Sequence, residues 1–180
     1  KKAVILEFIG GEPLLEIDLI DFITDYFKVK AFELNHPWAT NYMLSMTTNG
    51  ILYDTTKVQE YLKKNKDKLS IAITIDGNKK LHDACRVFPN GKGSYDIVEN
   101  NVKDWIRNYN GKNTKLTIAP DNIEYLTDAL INLWQMGLQC IHANCVYEKG
   151  WTIEHAQIFY KHLIKIADIL LKDNNFSKVY

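Results

Sequence analysis

The stretch Phe8-Ile9-Gly10-Gly11-Glu12-Pro13-Leu14-Leu15 joins an apolar run to an amphipathic one, and this change of pattern predicts a strand followed by a helix. The two glycines let the backbone turn sharply and approach a ligand closely. Pro13 suits the first helical position, where a missing N–H costs little. The turn offers carbonyls and a carboxylate rather than free N–H donors, so it favours an ammonium group over a phosphate. An ordinary strand-to-helix turn accounts for the same residues.

The composition fits one domain without a membrane or nucleic-acid partner. The 180 residues include 22 Lys plus Arg and 22 Asp plus Glu, and the resulting zero net charge argues against duplex DNA or an anionic membrane as partner. No apolar run approaches the roughly 20 residues that span a bilayer, and the first residues form no signal peptide. Three cysteines do not suit a disulfide framework, so we expect a reducing, cytoplasmic location.

Strands and helices alternate along the chain, which predicts an α/β fold with parallel strands and right-handed crossovers. No linker or repeat interrupts the pattern, so we predict a single domain over residues 1–180. The predicted strands lie near residues 3–9, 42–48, 69–75, 114–119 and 138–143. The predicted helices cover residues 14–28, 56–66, 94–109, 121–136 and 152–173, with a shorter helix or turn near 78–86.

Several predicted helix ends carry capping residues. Thr56-x-x-Gln59 and Asp121-x-x-Glu124 have the spacing of N-terminal capping boxes. Ser94 and Thr152 suit N-cap positions, and Gly137 suits a C-cap before the last strand.

Each predicted strand has one aliphatic face and one smaller, more polar face. In residues 69–76, isoleucines alternate with Ser70, Ala72 and Thr74. A sheet covered by helices on both sides is apolar on both faces, so this alternation favours a sheet curled around a polar or ligand-filled cavity. Five strands do not close such a barrel, which predicts an open, partial one.

The start of the chain is abrupt, because Lys1-Lys2 leads directly into a strand without a cap or preceding element. We therefore expect a fragment that lacks an earlier strand. The strand at residues 3–9 would then have an exposed edge, which pairs readily with another chain. On this basis we predict a homodimer formed through that edge.

Polar residues follow the predicted strands at their carboxyl ends, where parallel α/β folds bind ligands. Asp76 beside Gly77 suits a pair of sugar hydroxyls, or an Asx-turn. Asn49, also followed by a glycine, fits a plain turn. Arg86 suits a bidentate clamp on a carboxylate, or an ion pair with Asp83 three residues earlier.

The remaining candidate motifs are weaker. Gly91-Lys92-Gly93-Ser94 is glycine-rich, but no strand precedes it, which argues against a phosphate loop. Cys140 and Cys145 have the wrong spacing for a structural zinc pair, and we expect them in the core. His142 fits either a core histidine or a residue that lines the cavity.

Taken in order, five short motifs resemble those of the radical S-adenosylmethionine (AdoMet) enzymes: Gly10-Gly11-Glu12-Pro13-Leu14-Leu15, Thr48-Asn49-Gly50, Ile75-Asp76-Gly77, His82-Asp83-x-x-Arg86 and Gly91-Lys92-Gly93-Ser94-Tyr95. They are most similar to the branch with a C-terminal SPASM-type cluster domain, which includes anaerobic sulfatase maturases and peptide maturases. The resemblance runs from about Val4 to Glu148, and the ordered set is specific although each motif alone is weak.

The resemblance implies a partial (β/α)6 TIM-like barrel whose first βα unit is missing, with five parallel strands present. It implies an oxidoreductase or maturase that forms a 5′-deoxyadenosyl radical from AdoMet and abstracts hydrogen from a peptide or protein side chain. In this family a Cys-x-x-x-Cys-x-x-Cys loop binds the required [4Fe–4S] cluster. This sequence contains neither that loop nor a cysteine-rich C-terminal domain, so we expect the chain alone to bind no cluster and to be inactive.

The same resemblance implies a set of AdoMet-binding residues. The methionine amino group would be held by the glycines and glutamate of the first turn, the ribose by polar groups after the third predicted strand, and the methionine carboxylate by an arginine. The adenine would lie against the fourth and fifth predicted strands, next to Ile118 and the backbone of Asn144-Cys145-Val146. The full set is Gly10, Gly11, Glu12, Pro13, Asn49, Thr74, Asp76, Arg86, Ile118 and Asn144. No catalytic residue beyond this site and no metal ligand is assigned.

Two other interpretations stay open. A hydrolase or isomerase barrel would use Glu12 or Glu7 with Asp76 as acid and base, and it predicts a closed barrel. A non-catalytic barrel that binds a small ligand or a peptide predicts that Glu12→Ala leaves partner binding intact.

Overall fold

The computed structural model describes residues 2–148 and 150–172. Within them, the strands are β1 (Val4–Phe8), β2 (Tyr42–Thr48), β3 (Leu69–Ile73), β4 (Asn113–Ile118) and β5 (Cys140–Cys145). The α-helices are α1 (Ile17–Glu33), α2 (Thr56–Lys64), α3 (Lys79–Cys85), α4 (Tyr95–Tyr109), α5 (Leu126–Met136) and α6 (Ile153–Lys172). Short 3₁₀ turns cover Pro13–Glu16, Pro37–Ala39 and Ile123–Tyr125.

The chain divides into two compact units, a first unit over Lys1–Ile73 and a second unit over Thr74–Tyr180. In the first unit, β1, β2 and β3 form a parallel sheet in chain order. In the second unit, β4 and β5 form a parallel pair. The predicted parallel strands are therefore confirmed, while the count of strands in one partial barrel stays a prediction.

The core of the first unit lies between its sheet and its two helices. β2 alternates as expected, because Leu44 and Met46 are fully buried whereas Ser45 between them is only half-buried. Val58 and Leu62 supply the buried face of α2. Burial of each such aliphatic side chain contributes about 1.5–3 kcal/mol, so this packing fixes the position of the sheet.

The core of the second unit contains residues of β4 and of the helices α3, α5 and α6. Its buried residues are Leu81, Leu116, Ile118, Ile123, Leu126, Ala129 and Ile166. Gly77 belongs to this packing, because a Cβ there would lie 2.5 Å from the Cβ of Ala129. The predicted C-cap at Gly137 is confirmed, with φ of 100° after the end of α5.

Several predicted boundaries differ from the structure. The first helix begins at Ile17 instead of residue 14, because Pro13–Glu16 forms a 3₁₀ turn, and it continues to Glu33 since no helix breaker occurs before Asn35. The last strand covers Cys140–Cys145 rather than residues 138–143, because the helix cap at Gly137 delays the pairing. Residue 173 of the last predicted helix lies outside the described residues.

The two predicted capping boxes are wrong. Thr55 rather than Thr56 is the N-cap of α2, and the Gln59 side chain donates to the backbone oxygen of Tyr53 at 2.6 Å. Asn122, not Asp121, precedes the 3₁₀ turn before α5. Thr152 does cap α6, because its hydroxyl accepts from the backbone N–H of His155 at 3.4 Å.

For β5, the prediction of core cysteines is wrong and one of the two interpretations of His142 is excluded. Cys145 is exposed and Cys140 half-buried, so neither is a core cysteine. His142 is exposed, which excludes the core-histidine interpretation. β5 does not show the predicted alternation of a buried and a polar face: its first two residues are half-buried and the other four are exposed.

No helix in the described part of the chain is long and apolar enough to cross a membrane. β1 lies at an edge of the three-stranded sheet; its Ile5 is 67% exposed, and Ile9, directly after the strand, is 75% exposed. Dimerisation through this strand stays a prediction.

Candidate functional site

The Gly-Gly-Glu turn places a carboxylate against the end of the neighbouring strand. Glu12 is the extended N-cap residue of the 3₁₀ turn, and its Oε1 accepts from the Leu14 N–H at 3.1 Å. The same oxygen accepts from the hydroxyl of Thr48 at 2.5 Å, and Oε2 accepts from the N–H of Asn49 at 2.7 Å. We call these four residues the Glu12 cluster. They meet because β1 and β2 are parallel neighbours whose carboxyl ends lie side by side.

The Glu12 cluster fixes the direction of the carboxylate. Thr48 is 2% exposed, and its hydroxyl also accepts from the N–H of Gly50 at 3.0 Å, so its orientation is determined on both sides. A carboxylate offers about four lone-pair positions, and three donors occupy part of this capacity. The cluster therefore holds a negative charge in one place and retains room for one further donor.

The two glycines before Glu12 differ in what the backbone demands. Gly10 has φ of 144°, a conformation that favours glycine. Gly11 has no such φ, and a Cβ built on it would meet none of the described atoms within 4 Å. The fold therefore requires glycine at position 10 but not at position 11. Close approach of a ligand would account for the second glycine.

Asn49 belongs to the Glu12 cluster through its backbone rather than its side chain. Its Oδ1 accepts from the N–H of Ile51 at 3.0 Å, and Gly50 adopts φ of 78°. The interpretation as a plain turn is thus confirmed for the Asn49 side chain, while the turn presents the Asn49 N–H to Glu12.

In the second unit, Asp76 connects a helix end to a strand. Its side chain is 5% exposed; Oδ1 accepts from the Thr117 N–H at 2.9 Å, and Oδ2 accepts a short hydrogen bond from Arg86 Nε. These contacts replace the Asx-turn considered from the sequence. The alternative ion pair of Arg86 with Asp83 is excluded, because Arg86 pairs with Asp76 and Asp83 accepts from the N–H of Tyr95 at 2.9 Å.

The Arg86 guanidinium keeps part of its binding capacity. Its side chain is 29% exposed, and among the described residues only its Nε has a partner, namely Asp76. Both terminal nitrogens are thus left to bind a carboxylate, as the clamp interpretation requires.

The other predicted contacts vary in accessibility. Thr74 is 8% exposed directly after β3, and Ile118 is 2% exposed at the end of β4. Asn144 is exposed on β5 and pairs in register with Thr117. The backbone oxygen of Ile118 accepts from the N–H of Val146 at 2.8 Å, so the two segments predicted to flank the adenine lie together.

Sequence reasoning gave no role in the site to Thr48, His82 or Ser94. Thr48 is the last residue of β2 and lies on its buried face, where a hydroxyl needs a hydrogen-bond partner. The alternation of faces along the strand could therefore have pointed to this residue. His82 is completely buried and bonds to the backbone of Asp76 and to the side chain of Ser94. No local pattern indicates these contacts, because they join residues up to twelve positions apart.

The glycine-rich segment after α3 has a structural explanation. A Cβ on Gly93 would lie 2.0 Å from the carboxyl carbon of Asp83, and Val87 and Gly93 form an antiparallel bridge. The segment packs on a carboxylate, which does not suit a phosphate loop.

No group of three or more His, Cys, Asp or Glu residues in the described ranges is placed to hold a metal ion. Cys85 and Cys145 are exposed and Cys140 is half-buried, and all three are free thiols. No ligand set for a [4Fe–4S] cluster is identified among the described residues.

No family model matches the chain. Over 130 residues the chain is 29% identical to a cysteine-type anaerobic sulfatase-maturating enzyme of Clostridium novyi (strain NT), covering 71% of this chain and 32% of that protein. Over 89 residues it is 34% identical to an uncharacterized protein of Methanocaldococcus jannaschii, covering 49% and 28%. The chain thus spans about a third of the length of these curated relatives.

Solved structures with a fold similar to that of this chain are known. Native anSMEcpe with bound AdoMet and the Kp18Cys peptide matches with a TM-score of 0.72 at 18% identity, covering 97% of this chain and 49% of that one. A histidine-tagged form of anSMEcpe with bound AdoMet matches with a TM-score of 0.72 at 19% identity, covering 97% and 47%.

These matches confirm the predicted resemblance: the chain is similar to radical AdoMet maturases and has the α/β fold of the anSMEcpe core. Within that class, the chain is similar to an anaerobic sulfatase-maturating enzyme.

Proposed function

We propose that this chain forms the AdoMet-contacting part of a radical AdoMet enzyme that modifies a peptide or protein side chain. Support comes from the similarity to an anaerobic sulfatase-maturating enzyme and from the AdoMet and peptide named in the solved neighbours. The chain spans only part of those proteins, so the activity of the whole enzyme is included in the proposal.

The observation that carries the proposal is the pairing of a fixed carboxylate with an unexplained glycine. Glu12 is held by three donors, and Gly11 beside it has open space where a side chain would be. This arrangement suits the methionine amino group of AdoMet, whose ammonium hydrogens are donors for carboxylate and carbonyl oxygens. Gly10 and Pro13 set the turn, and Asn49 orients Glu12.

For the second unit we propose three contacts. Arg86 would bind the methionine carboxylate through its terminal nitrogens while its Nε stays on Asp76. Thr74 and Asp76 would contact the ribose, with Asp76 accepting through the lone pairs that Thr117 and Arg86 leave open. The adenine would lie against the end of β4 at Ile118 and the backbone of residues 144–146, which the Val146 N–H to Ile118 oxygen bond holds together.

A bound [4Fe–4S] cluster would supply the one electron that cleaves AdoMet into methionine and a 5′-deoxyadenosyl radical, which would take a hydrogen atom from the substrate. We assign no cluster ligand among the described residues. The part that this chain would play is to bind AdoMet.

The enzyme proposal is tested with the product of the full reading frame. After anaerobic reconstitution with iron and sulfide and addition of reductant, we expect cluster absorbance and formation of 5′-deoxyadenosine from AdoMet. Absence of both would refute it.

The role of Glu12 is tested by binding. Glu12→Gln keeps the shape but removes the charge, and we expect AdoMet affinity to fall at least tenfold by calorimetry, because a charged hydrogen bond contributes about 1.5–3 kcal/mol. An AdoMet analogue without the amino group should bind the wild type and Glu12→Gln equally. The matched control is Glu16→Gln, since Glu16 is exposed and makes no cap hydrogen bond to α1. Equal AdoMet affinity of Glu12→Gln and wild type would contradict the assignment.

A further inference from the structure

A buried imidazole lies beside the Asp76–Arg86 pair of the second unit. The ring of His82, in α3, is completely buried. Its Nδ1 accepts from the backbone N–H of Asp76 at 3.2 Å, and its Nε2 is 2.9 Å from the hydroxyl oxygen of Ser94. The Ser94 hydroxyl in turn donates to the backbone oxygen of Arg86 at 3.1 Å. We call Asp76, His82, Arg86, Ser94 and Thr117 the Asp76 network.

The hydrogen-bond directions determine where the protons are. Nδ1 accepts from an N–H, so it carries no proton. The single Ser94 proton goes to the Arg86 carbonyl, so Nε2 must donate to the Ser94 oxygen. The ring is therefore neutral, with its proton on Nε2, and both of its nitrogens have partners.

Both residues of the Asp76–Arg86 ion pair thus depend on this ring. The Asp76 backbone is bonded to it directly, and the Arg86 backbone is bonded to it through Ser94. The Asp76 carboxylate then connects Arg86 Nε to the N–H of Thr117 at the end of β4. A ring in another position would move the two charged groups relative to each other.

The surroundings favour the neutral ring. Burial lowers the pKa of His82 below its usual value of 6.5, and the Arg86 charge lowers it further, while the carboxylates of Asp76 and Asp83 oppose this shift. The Tyr95 ring contacts the imidazole edge-to-face, with 5.7 Å between centroids. These are the titratable and charged groups that face His82 in the described part of the chain.

We propose that His82 is a positioning residue that holds the Asp76–Arg86 pair in its AdoMet-binding geometry and releases it when the ring takes up a second proton. A protonated Nδ1 would point its hydrogen at the N–H of Asp76, so that hydrogen bond would break. The inference rests on the proposed function only for the identity of the ligand; the positioning itself concerns the free protein.

Nuclear magnetic resonance of the ligand-free chain tests the positioning. We expect the ¹⁵N shifts of His82 to report the Nε2–H tautomer at neutral pH. On acidification, the amide signals of Asp76 and Thr117 should shift with the same midpoint as the His82 ring. A ring protonated on Nδ1 at neutral pH would overturn the proposal, and so would amide signals of Asp76 and Thr117 that do not change as the His82 ring titrates.

AdoMet affinity provides the second readout. In wild type we expect the dissociation constant for AdoMet to rise at least tenfold as the pH is lowered through the His82 titration. In Ser94→Ala we expect it to be about fivefold higher than in wild type at neutral pH. His82→Phe keeps an aromatic ring without hydrogen-bonding nitrogens and should bind AdoMet weakly at every pH. An AdoMet affinity independent of the His82 titration would overturn the proposed role.

The two readouts separate the possible failures. If the amides follow His82 but wild type binds no AdoMet, the proposed function fails and the positioning of the ion pair stands. If Ser94→Ala folds and binds AdoMet as wild type does, the proposed connection from His82 through Ser94 to the Arg86 backbone is wrong. This result holds even when His82→Phe fails to fold.

Discussion

The Glu12 cluster and the Asp76 network each contain a carboxylate after a strand, yet they use it differently. Glu12 is half-buried at an open turn, and its three donors come from the end of β2 and from its own turn. Asp76 is nearly enclosed, and its oxygens connect Arg86 to β4. The first arrangement leaves a carboxylate at an open turn, whereas the second also fixes the position of another charged group, Arg86.

The glycine next to each carboxylate shows the same difference between a structural role and a proposed ligand-binding one. Gly77 is packed against Ala129 and adopts φ of 67°, so the fold itself requires it. Gly11 has neither constraint. Glycines required by packing should therefore affect stability when substituted, and glycines required by a ligand should affect binding.

The largest effect is expected for Gly77→Ala. Its Cβ would lie 2.5 Å from Ala129 Cβ and 2.9 Å from Ala129 Cα, in a conformation unfavourable to alanine. Strain and overpacking together should lower the free energy of unfolding by about 3 kcal/mol or more. Urea denaturation measures this loss, with Gly150→Ala as the control, because a Cβ at Gly150 meets no described atom within 4 Å. A change below about 1 kcal/mol would show that Gly77 is not a packing glycine.

The next effect is expected for Asp76→Ala. Removing the carboxylate leaves Arg86 Nε and the Thr117 N–H without their partner, which should cost about 2–4 kcal/mol of stability. Arg86 is partly exposed, so water recovers part of the loss. In a double-mutant cycle with Arg86→Ala, the two losses should add to more than the loss in the double variant. Strict additivity would contradict the coupling.

The pH dependence of stability separates the two clusters further. Because burial lowers the pKa of His82, the unfolded chain takes up a proton at this histidine at a higher pH than the folded chain does. The resulting stability is complete above the usual pKa of 6.5 and falls as the pH drops from there toward the lower folded value. His82→Phe should remove this part of the slope in denaturation curves recorded between about pH 7 and pH 5. An unchanged slope would mean that His82 titrates normally.

The smallest effect is expected for an exposed ion pair of the first unit. Lys64 contacts Asp21 at 2.8 Å and also pairs with Asp25, but these side chains are 39–48% exposed. Solvent screens such pairs, so Lys64→Ala should cost at most about 1 kcal/mol, well below Asp76→Ala. Thermal denaturation in low and high salt checks this. A loss as large as that of Asp76→Ala would contradict the distinction between exposed and enclosed pairs.

Local sequence patterns predicted much of the fold and the first turn. Apolar periodicity located the strands, and the Gly-Gly-Glu-Pro order located the strand-to-helix turn, because both depend on neighbouring residues. The partner of Arg86 was not predictable from spacing, because the contact with Asp76 requires α3 to lead the chain back across ten residues. Cys145 was expected in the core, but the structure exposes that end of β5, and strand parity alone does not show how far helices cover a strand.

The most direct test of the account is the AdoMet affinity of Gly11→Ala beside that of Gly150→Ala, measured by chemical-shift titration up to millimolar AdoMet. Both substitutions add one methyl group in open space, so both proteins should be as stable as wild type. We predict that wild type and Gly150→Ala bind AdoMet equally and that Gly11→Ala binds at least tenfold more weakly, because its methyl group occupies the ligand's place. No binding by wild type, or equal binding by all three, would contradict the assignment of the Gly-Gly-Glu turn to AdoMet.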